Sequence, residues 1–213
     1  MKERFGLPLG GLVLLTLTLL TVGCATTMTV LPGKSLALID VQYPESRMTG
    51  IPMAPGEDSA TTRMARAIMR EIEREGFYQI TDVRNLGVHA SSLGKDEART
   101  SALIKQAPAD AYVGIRLLDC AARPMSATET RGTGPSAVTV TVYWYRGECT
   151  AELEAFEAGG KKLTILQKTG RWESPRQERR DESSMQSQAL TLAVDDTARR
   201  LAREIRPTAG ATK

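Results

Sequence analysis

The strongest constraint on the fold is a stretch of strict alternation in the second half of the chain. Across residues 138–145, valines and a tryptophan at even positions alternate with threonines and tyrosines at odd positions. A period of two is that of a strand with one buried face. We therefore predict a half-buried antiparallel strand with Trp144 in the core, and a bulge at Gly147. Tyr143 and Tyr145 are expected under a helix; an aromatic platform for a partner is the alternative.

Shorter segments complete the set of predicted elements. Apolar runs of strand length predict strands at residues 35–41, 77–83, 111–118 and 162–172. Apolar residues at helical spacing predict helices at residues 60–75, 95–106 and 189–205. Ser59 is a suitable N-cap for the first helix, and Gly76 suits its left-handed C-terminal residue. Residues 123–135, rich in Thr, Gly and Pro, are expected to form a loop.

The order of these elements predicts a single α/β (α+β) domain. It has a mixed sheet with a C-terminal antiparallel meander, packed by two or three helices. We divide the chain into a signal peptide (1–23), a tether (24–34), the domain (35–207) and a disordered tail (208–213). Without the signal peptide the formal net charge falls from +3 to +2. Such a balanced charge excludes nucleic acid as the expected partner.

The N-terminus has the organisation of an export signal. Lys2 and Arg4 form a basic head, and an apolar stretch follows over residues 7–22. A secretory apolar region spans about 7–15 residues, whereas a membrane-spanning helix needs about 20. Pro8 lies near the start of this stretch and weakens it as a stable span. We therefore predict that the segment directs export.

The end of the signal resembles the bacterial lipobox, with Thr21, Val22 and Gly23 before Cys24. Leu is usual three places before the cysteine, and here that place is Thr21. The resemblance implies cleavage before Cys24 and attachment of fatty acyl chains such as palmitate, which would bind the protein to a lipid bilayer. Ala25 in place of Asp implies the outer membrane, with the domain facing the periplasm. The alternatives are cleavage nearby with Cys24 as a free thiol, or an uncleaved anchor.

Two further cysteines, Cys120 and Cys149, remain in the exported part. An oxidising compartment favours a disulfide between them, with two separate buried thiols as the alternative. Their midpoint falls between Gly134 and Pro135, a natural hairpin apex, so an antiparallel hairpin brings them face to face. Carried onward, this register sets Ile115 opposite Glu154. We therefore expect a one-residue bulge that instead pairs Ile115 with Ala155 and Leu117 with Leu153.

The sequence offers little for catalysis, so we predict no catalytic, cofactor-binding or metal-binding residues. It contains a single histidine, His89, which we interpret as a solvated loop side chain. Phosphate-binding loops, zinc spacings and nucleophile elbows are not found in the sequence. Glu152 and Glu154 lie two residues apart on the alternating strand. This spacing indicates the solvent-exposed face of the strand rather than a catalytic carboxylate pair.

Several segments resemble a group of envelope lipoprotein domains. Residues 67–82, 109–115 and 189–205 resemble, in order, a helix-to-strand step, an alanine-aspartate pair before a strand, and a closing helix. The group includes the N-terminal domain of the Tol–Pal translocation protein, the curli secretion lipoprotein and the lipoprotein activators of penicillin-binding proteins. The resemblance implies an anticodon-binding-like α/β fold and a non-enzymatic envelope role, and it carries over no functional residue. Small lipoprotein families with a similar step are a second resemblance.

Two functional hypotheses follow. The first is a membrane-anchored binding or assembly module that contacts an envelope protein. The second is an envelope enzyme whose carboxylates meet only in the fold, which clustering of Asp40, Asp110 and Asp119 in one cleft would favour. A secretion-pore subunit is a weaker third hypothesis, because it needs a spare pair of amphipathic segments that the sequence does not reveal.

The first prediction concerns the anchor. Cys24→Ser removes the acylated thiol, so we expect the exported protein to leave the membrane fraction or to remain unprocessed. Fractionation and intact mass, compared with wild type, measure both outcomes. Unchanged mature mass together with unchanged membrane association would contradict the prediction.

Overall fold

The computed structural model describes residues 29–43, 59–178 and 183–207. The predicted signal peptide, Cys24 and the predicted tail lie outside these residues. The strands are β1 (Thr29–Leu31), β2 (Ser35–Gln42), β3 (Gln79–Asp82), β4 (Ala111–Arg131), β5 (Val138–Phe156), β6 (Lys162–Glu173) and β7 (Ile205–Pro207). The helices are α1 (Ala60–Glu75), α2 (Glu97–Gln106) and α3 (Ser183–Glu204).

Five strands form a mixed sheet in the order β3-β2-β4-β5-β6. The first three are parallel, and β4, β5 and β6 form an antiparallel meander. Helices α1 and α3 pack on one face of the sheet, and α2 packs on the other. Alternate residues of β2 serve the two cores, Leu36 and Leu38 on one face and Ala37 and Ile39 on the other. The predicted fold class is confirmed.

Helix α1 begins and ends where the sequence predicts. The Ser59 hydroxyl accepts a hydrogen bond from the Thr62 amide at 3.2 Å, which satisfies one free N–H of the first turn. Gly76 ends the helix with a φ of 72°, a left-handed conformation that costs glycine little. Between these caps, Met64, Ile68 and other residues of the predicted stripe are buried against the sheet.

Helix α3 lies unusually close to β5 and β6 because both strands carry a glycine beneath it. A Cβ at Gly147 would come within 2.0 Å of the Ala189 carbonyl oxygen, and one at Gly170 within 2.3 Å of the Thr197 nitrogen. Gly170 N donates to Thr197 Oγ1 at 3.0 Å, and that oxygen lies 2.7 Å from the Cys149 carbonyl. The bulge predicted at Gly147 is wrong: Gly147 stays in register, and its role is to admit the helix.

The ends of the described chain meet in a small parallel pair. Strand β1 pairs with β7, with Thr29 beside Ile205 and Val30 beside Arg206. Leu31 of β1 is completely buried. The predicted tether of residues 24–34 is therefore wrong from Thr29 onward, because an apolar residue there packs into the core. Helix α3 ends at Glu204, one residue before the predicted range ends.

The loop predicted at residues 123–135 is wrong over most of its length. Strand β4 continues through it to Arg131, and only a short turn around Gly134 separates β4 from β5. The threonines of this segment suit a strand once β5 supplies a partner, since β-branched residues pack well on a pleated surface. The apex predicted between Gly134 and Pro135 is confirmed, because Arg131 faces Val138.

The second prediction tests the close packing of α3 on β5 and β6. Gly170→Ala places a methyl group against the Thr197 backbone, so we expect the free energy of unfolding to fall by about 1–3 kcal/mol. Gly159→Ala is the matched control, because a Cβ there meets nothing within 4 Å. Urea denaturation followed by circular dichroism measures both variants. Equal free energies of unfolding for the two variants would show that α3 moves away from the added methyl group at no cost, and would contradict the prediction.

Candidate functional site

The three aspartates whose clustering would favour an enzyme lie apart. Asp40 is buried in β2, whereas Asp110 accepts hydrogen bonds from the Ser35 hydroxyl (2.7 Å) and the Lys34 amide (2.8 Å) near the start of that strand. Five residue steps, about 16 Å, separate Ser35 from Asp40. Asp119 is exposed on β4. It lies a similar distance, along that strand, from Gly114, which is the strand partner of Asp40. These acids therefore do not share a cleft.

Asp110 has a structural role at the start of the parallel strands. The Ser35 hydroxyl and then the Lys34 and Ser35 amides lower the pKa of Asp110 below its ordinary value, because they stabilise the carboxylate. The same carboxylate lies where a Cβ on Gly33 would fall. Gly33 has a φ of 67°, so the turn from β1 into β2 closes around Asp110. The aspartate thus fixes the entry into β2 rather than performing chemistry.

A polar cleft does form where β2 ends, and its centre is a contact that the sequence does not reveal. Asp40 Oδ2 lies 3.1 Å from His89 Nδ1 and 2.5 Å from Gln42 Nε2. Ligand sites in open α/β sheets favour the carboxyl ends of strands at the point where the strand order reverses, and here the order reverses at β2. The adjacent cavity has a volume of about 60 Å³ and is lined in part by Gly114, Arg116 and Glu154.

The cleft has one feature of a catalytic dyad. A carboxylate on Nδ1 fixes the tautomer and orientation of an imidazole. The His89 side chain is 59% exposed, so it is solvated as predicted, but it also has an aspartate partner that the sequence does not show. Ser92, a nearby hydroxyl, donates to the His89 carbonyl oxygen at 2.7 Å. Among the described residues, the His89 ring is hydrogen-bonded to Asp40 and Gln42 and to no hydroxyl or thiol nucleophile.

Glu152 and Glu154 lie on the open face of β5, as the alternation predicts. Arg116 contacts Glu152 at 2.6 Å, and Lys162 contacts Glu154 at 2.7 Å. Each carboxylate therefore has its own cation, and the two do not act as a pair. Similar contacts continue along this face: Arg171–Glu148 at 2.8 Å, Arg146–Glu173 at 2.7 Å and Thr150–Thr169 at 2.8 Å. Such exposed ion pairs each contribute about 0–1 kcal/mol, so they keep the face soluble more than they stabilise it.

A larger cavity, of about 310 Å³, lies between the 84–88 segment and α2. Leu86, Val88 and Leu103 supply its apolar lining, and Arg99 and Gln106 its polar groups. Arg99 already contacts Asp96 at 3.3 Å. The volume is at the lower limit for a small-molecule site, and polar groups do not converge on it from several elements.

The most distinctive feature is a long hairpin that leaves the sheet. Strand β2 pairs with β4 only as far as Arg116, and β6 pairs with β5 only from Arg146 onward. We call residues 123–145 the projecting hairpin, since beyond these limits β4 and β5 pair mainly with each other. No spare pair of amphipathic segments is expected from the sequence, yet the projecting hairpin is a spare pair of strands. It does not form an apolar pair, because Glu129 faces Val140 and Arg131 faces Val138.

The segment after β6 braces the outer face of the projecting hairpin. The Arg176 guanidinium lies 4.6 Å from the Trp144 ring centroid and contacts Glu129 at 2.6 Å. Trp144 is buried, as predicted, and so is Val142 on the same face of β5, whereas Val138 near the tip is 58% exposed. Tyr145, on the opposite face, is buried with Met185 and Ala189 of α3, so the prediction of tyrosines under a helix holds for this residue.

A disulfide between Cys120 and Cys149 closes the base of the hairpin. The two residues face each other, as the hairpin apex predicts. The expected bulge exists and falls at Leu118, on β4. The pairing expected beyond it is wrong by two residues, because the extra residue lies on β4 and not on β5: Ile115 faces Leu153, and Leu117 faces Ala151. Apolar residues still face apolar residues, which is the constraint that required the bulge.

The third prediction concerns this bond. Because it closes a loop of 29 residues, the disulfide should stabilise the domain by about 3–4 kcal/mol through loss of entropy in the unfolded chain. We expect the intact exported protein to gain mass on alkylation only after reduction, and its unfolding midpoint to fall on reduction. Two thiols that alkylate without reductant would contradict the bond.

Comparison with known proteins identifies distant structural neighbours only. No family model and no curated protein matches the sequence. Among solved structures, lipoprotein GNA1162 from Neisseria meningitidis is 14% identical, with 67% of this chain and 85% of that chain covered and a TM-score of 0.36. A minor lipoprotein from Acinetobacter baumannii is 12% identical, with 82% and 91% covered and a TM-score of 0.37. The hypothetical protein CT253 from Chlamydia trachomatis is 11% identical, with 81% and 92% covered and a TM-score of 0.39.

These structural neighbours include bacterial lipoproteins, but their low identities and scores assign no function to this chain. They do not single out the Tol–Pal, curli or penicillin-binding-protein activator group that the sequence resembles. Within residues 29–43, 59–178 and 183–207, none of the helices is long and apolar enough to cross a membrane. Over the same residues, no three His, Cys, Asp or Glu side chains come together as candidate metal ligands.

Proposed function

We propose that this chain is a lipid-anchored lipoprotein of the bacterial outer membrane, facing the periplasm, whose domain acts without catalysis as a binding or assembly module. Its lipidation through Cys24 is inferred from the signal and the lipobox resemblance. The partner on the folded side is an envelope protein, which the projecting hairpin contacts.

The observation that carries this proposal is the construction of the projecting hairpin. An isolated two-stranded ribbon is marginally stable in water, and exposed strand edges tend to pair with other chains. Here the Cys120–Cys149 disulfide closes the base of the hairpin, and α3 packs against it. The Arg176–Glu129 contact holds the hairpin to the segment that follows β6. A structure that is ordered before it binds loses less conformational entropy on binding. The hairpin is therefore suited to presenting a fixed surface.

The tip combines exposed apolar and polar side chains, as a contact surface does. Val138 is 58% exposed beside Arg131, which pairs with Glu178. Among the described residues, no strand pairs with the outer edges of β4 and β5 near the tip, and such edges can bind a further strand through their backbone groups. An apolar residue flanked by charged pairs and free backbone groups fits a protein partner better than a small molecule.

The fourth prediction tests the hairpin directly. Replacing residues 128–141 with Asn-Gly leaves the facing pair Ala127 and Val142 around a two-residue turn, so the domain should still fold. We expect this variant to be exported and anchored but to be lost from the complex that the wild-type protein forms in detergent-solubilised envelopes. Native electrophoresis measures the complex, and thermal unfolding confirms the fold.

The matched control for this experiment is Ile165→Thr, which removes an exposed apolar side chain from β6 and leaves the hairpin intact. It should keep the complex. A complex of unchanged size in the shortened variant, or a wild-type protein that forms none, would contradict the proposed role.

The Asp40–His89 contact favours a second candidate function, an envelope enzyme with a carboxylate-based site assembled in the fold. The two functions separate in a strain that lacks the protein and is complemented with variants. His89→Ala alters a side chain that is mostly exposed, so the fold and the complex should persist. Our proposal expects this variant to complement. Loss of complementation with an intact complex would favour the enzyme.

A further inference from the structure

One end of the domain carries a small apolar patch joined by arginines. Val30 is 52% exposed and Phe77 is 38% exposed, and they are two of the four large apolar residues exposed in the described part of the chain. Arg206 connects them: it is the strand partner of Val30, and its guanidinium lies 4.5 Å from the Phe77 ring centroid. We call Val30, Phe77, Arg203 and Arg206 the anchor-proximal patch.

The patch is held rigidly on the domain. Leu31, next to Val30, is completely buried, and its carbonyl oxygen accepts a hydrogen bond from the Tyr78 hydroxyl at 3.1 Å. Burial raises the pKa of Tyr78 to about 12, so the hydroxyl keeps its proton at physiological pH and remains a donor. Tyr78 also follows Phe77 directly. Both exposed apolar residues are therefore next to a buried neighbour that fixes their position.

The patch lies where the chain must leave the domain toward its anchor. Five residue steps separate Cys24 from Thr29, and a fully extended chain covers at most about 18 Å over that length. The first residue of β1 is thus within about 18 Å of an acylated Cys24. The hairpin tip lies at the other end of β4, whose 21 residues extend over about 65 Å. The two exposed ends of the domain therefore differ in their access to the bilayer.

The charge of the patch fits a lipid surface. Arg203 and Arg206 contact Glu75 at 3.8 and 3.3 Å, so two cations share one carboxylate and leave an excess of one positive charge. Arginine can bury its aliphatic stem beside apolar groups while its guanidinium stays among headgroups. Phenylalanine and aliphatic side chains flanked by arginines are typical of surfaces that rest in the membrane interface.

We propose that the anchor-proximal patch rests on the headgroups of the bilayer that holds Cys24, and that the projecting hairpin consequently points away from that membrane. The inference rests on the proposed lipid anchor and adds a defined orientation to it. The anchor alone leaves a tethered domain free to rotate, whereas the patch selects one end of the domain to face the lipid.

A depth measurement on the intact lipoprotein tests this orientation. Val30→Cys, carrying an environment-sensitive fluorophore, is reconstituted into vesicles of phosphatidylethanolamine and phosphatidylglycerol that contain headgroup spin-labelled lipid. Val138→Cys, near the hairpin tip, is the matched control, since Val138 is 58% exposed and Val30 is 52% exposed. With the native disulfide intact, the added cysteine is the thiol that reacts. We expect strong quenching and a blue shift at position 30, and little of either at position 138.

The outcomes separate the orientation from the anchor. Protein that fails to float with the vesicles would overturn the lipid anchor, and the orientation with it. Protein that floats but shows equal quenching at positions 30 and 138, or none at position 30, would overturn the orientation alone. Shielding of position 30 that depends on protein concentration and not on lipid would assign the patch to a second copy, and would also overturn it. Phe77→Cys should reproduce the result at position 30.

Discussion

The architecture depends on the direct contact between helix α3 and the two strands beneath it. Gly147 and Gly170 have no side chains to hold the helix away, so its backbone lies against theirs. The Thr197 hydroxyl of α3 accepts a hydrogen bond from the Gly170 amide of β6 and donates one to the Cys149 carbonyl oxygen of β5. A Cβ at either position would have to displace the backbone of α3, because protein interiors are close-packed and few voids remain to absorb it. The packing of α3 therefore requires glycine at both positions, and it covers the base of the hairpin that continues from these strands.

The sequence predicts best where a local pattern has one structural meaning. Ser59 and Gly76 bound α1 because a hydroxyl cap and a left-handed glycine act within a single turn of chain. The strand at 35–41 is predicted because both of its faces are apolar. The apex near Gly134 follows from turn-forming residues. In each case the information lies within a few residues of the feature.

The errors come from contacts between residues distant in sequence. Residues 123–131 look like a loop until β5 is available as a partner, and Gly147 looks like a bulge until α3 lies on it. The sequence does not determine which of the two strands carries the bulge found at Leu118. Either strand can accept an extra residue and still place apolar residues opposite apolar residues. The contact of Asp40 with His89, 49 residues away, has no local signal at all. The candidate site was therefore less predictable than the fold.

The pairing of β1 with β7 has a consequence for how the molecule is made. The first described strand hydrogen-bonds to the last, so the two ends of the domain close one structure. Synthesis produces β1 early and β7 late, so Thr29–Leu31 has no β7 partner until Ile205–Pro207 has been made. The β1–β7 pair can therefore form only after almost all of the described chain exists. Long-range closure of this kind is slow, because the entropy of the intervening chain is lost before the contact forms. The end of the domain that β1 and β7 form is consequently the last part of the described fold to be completed.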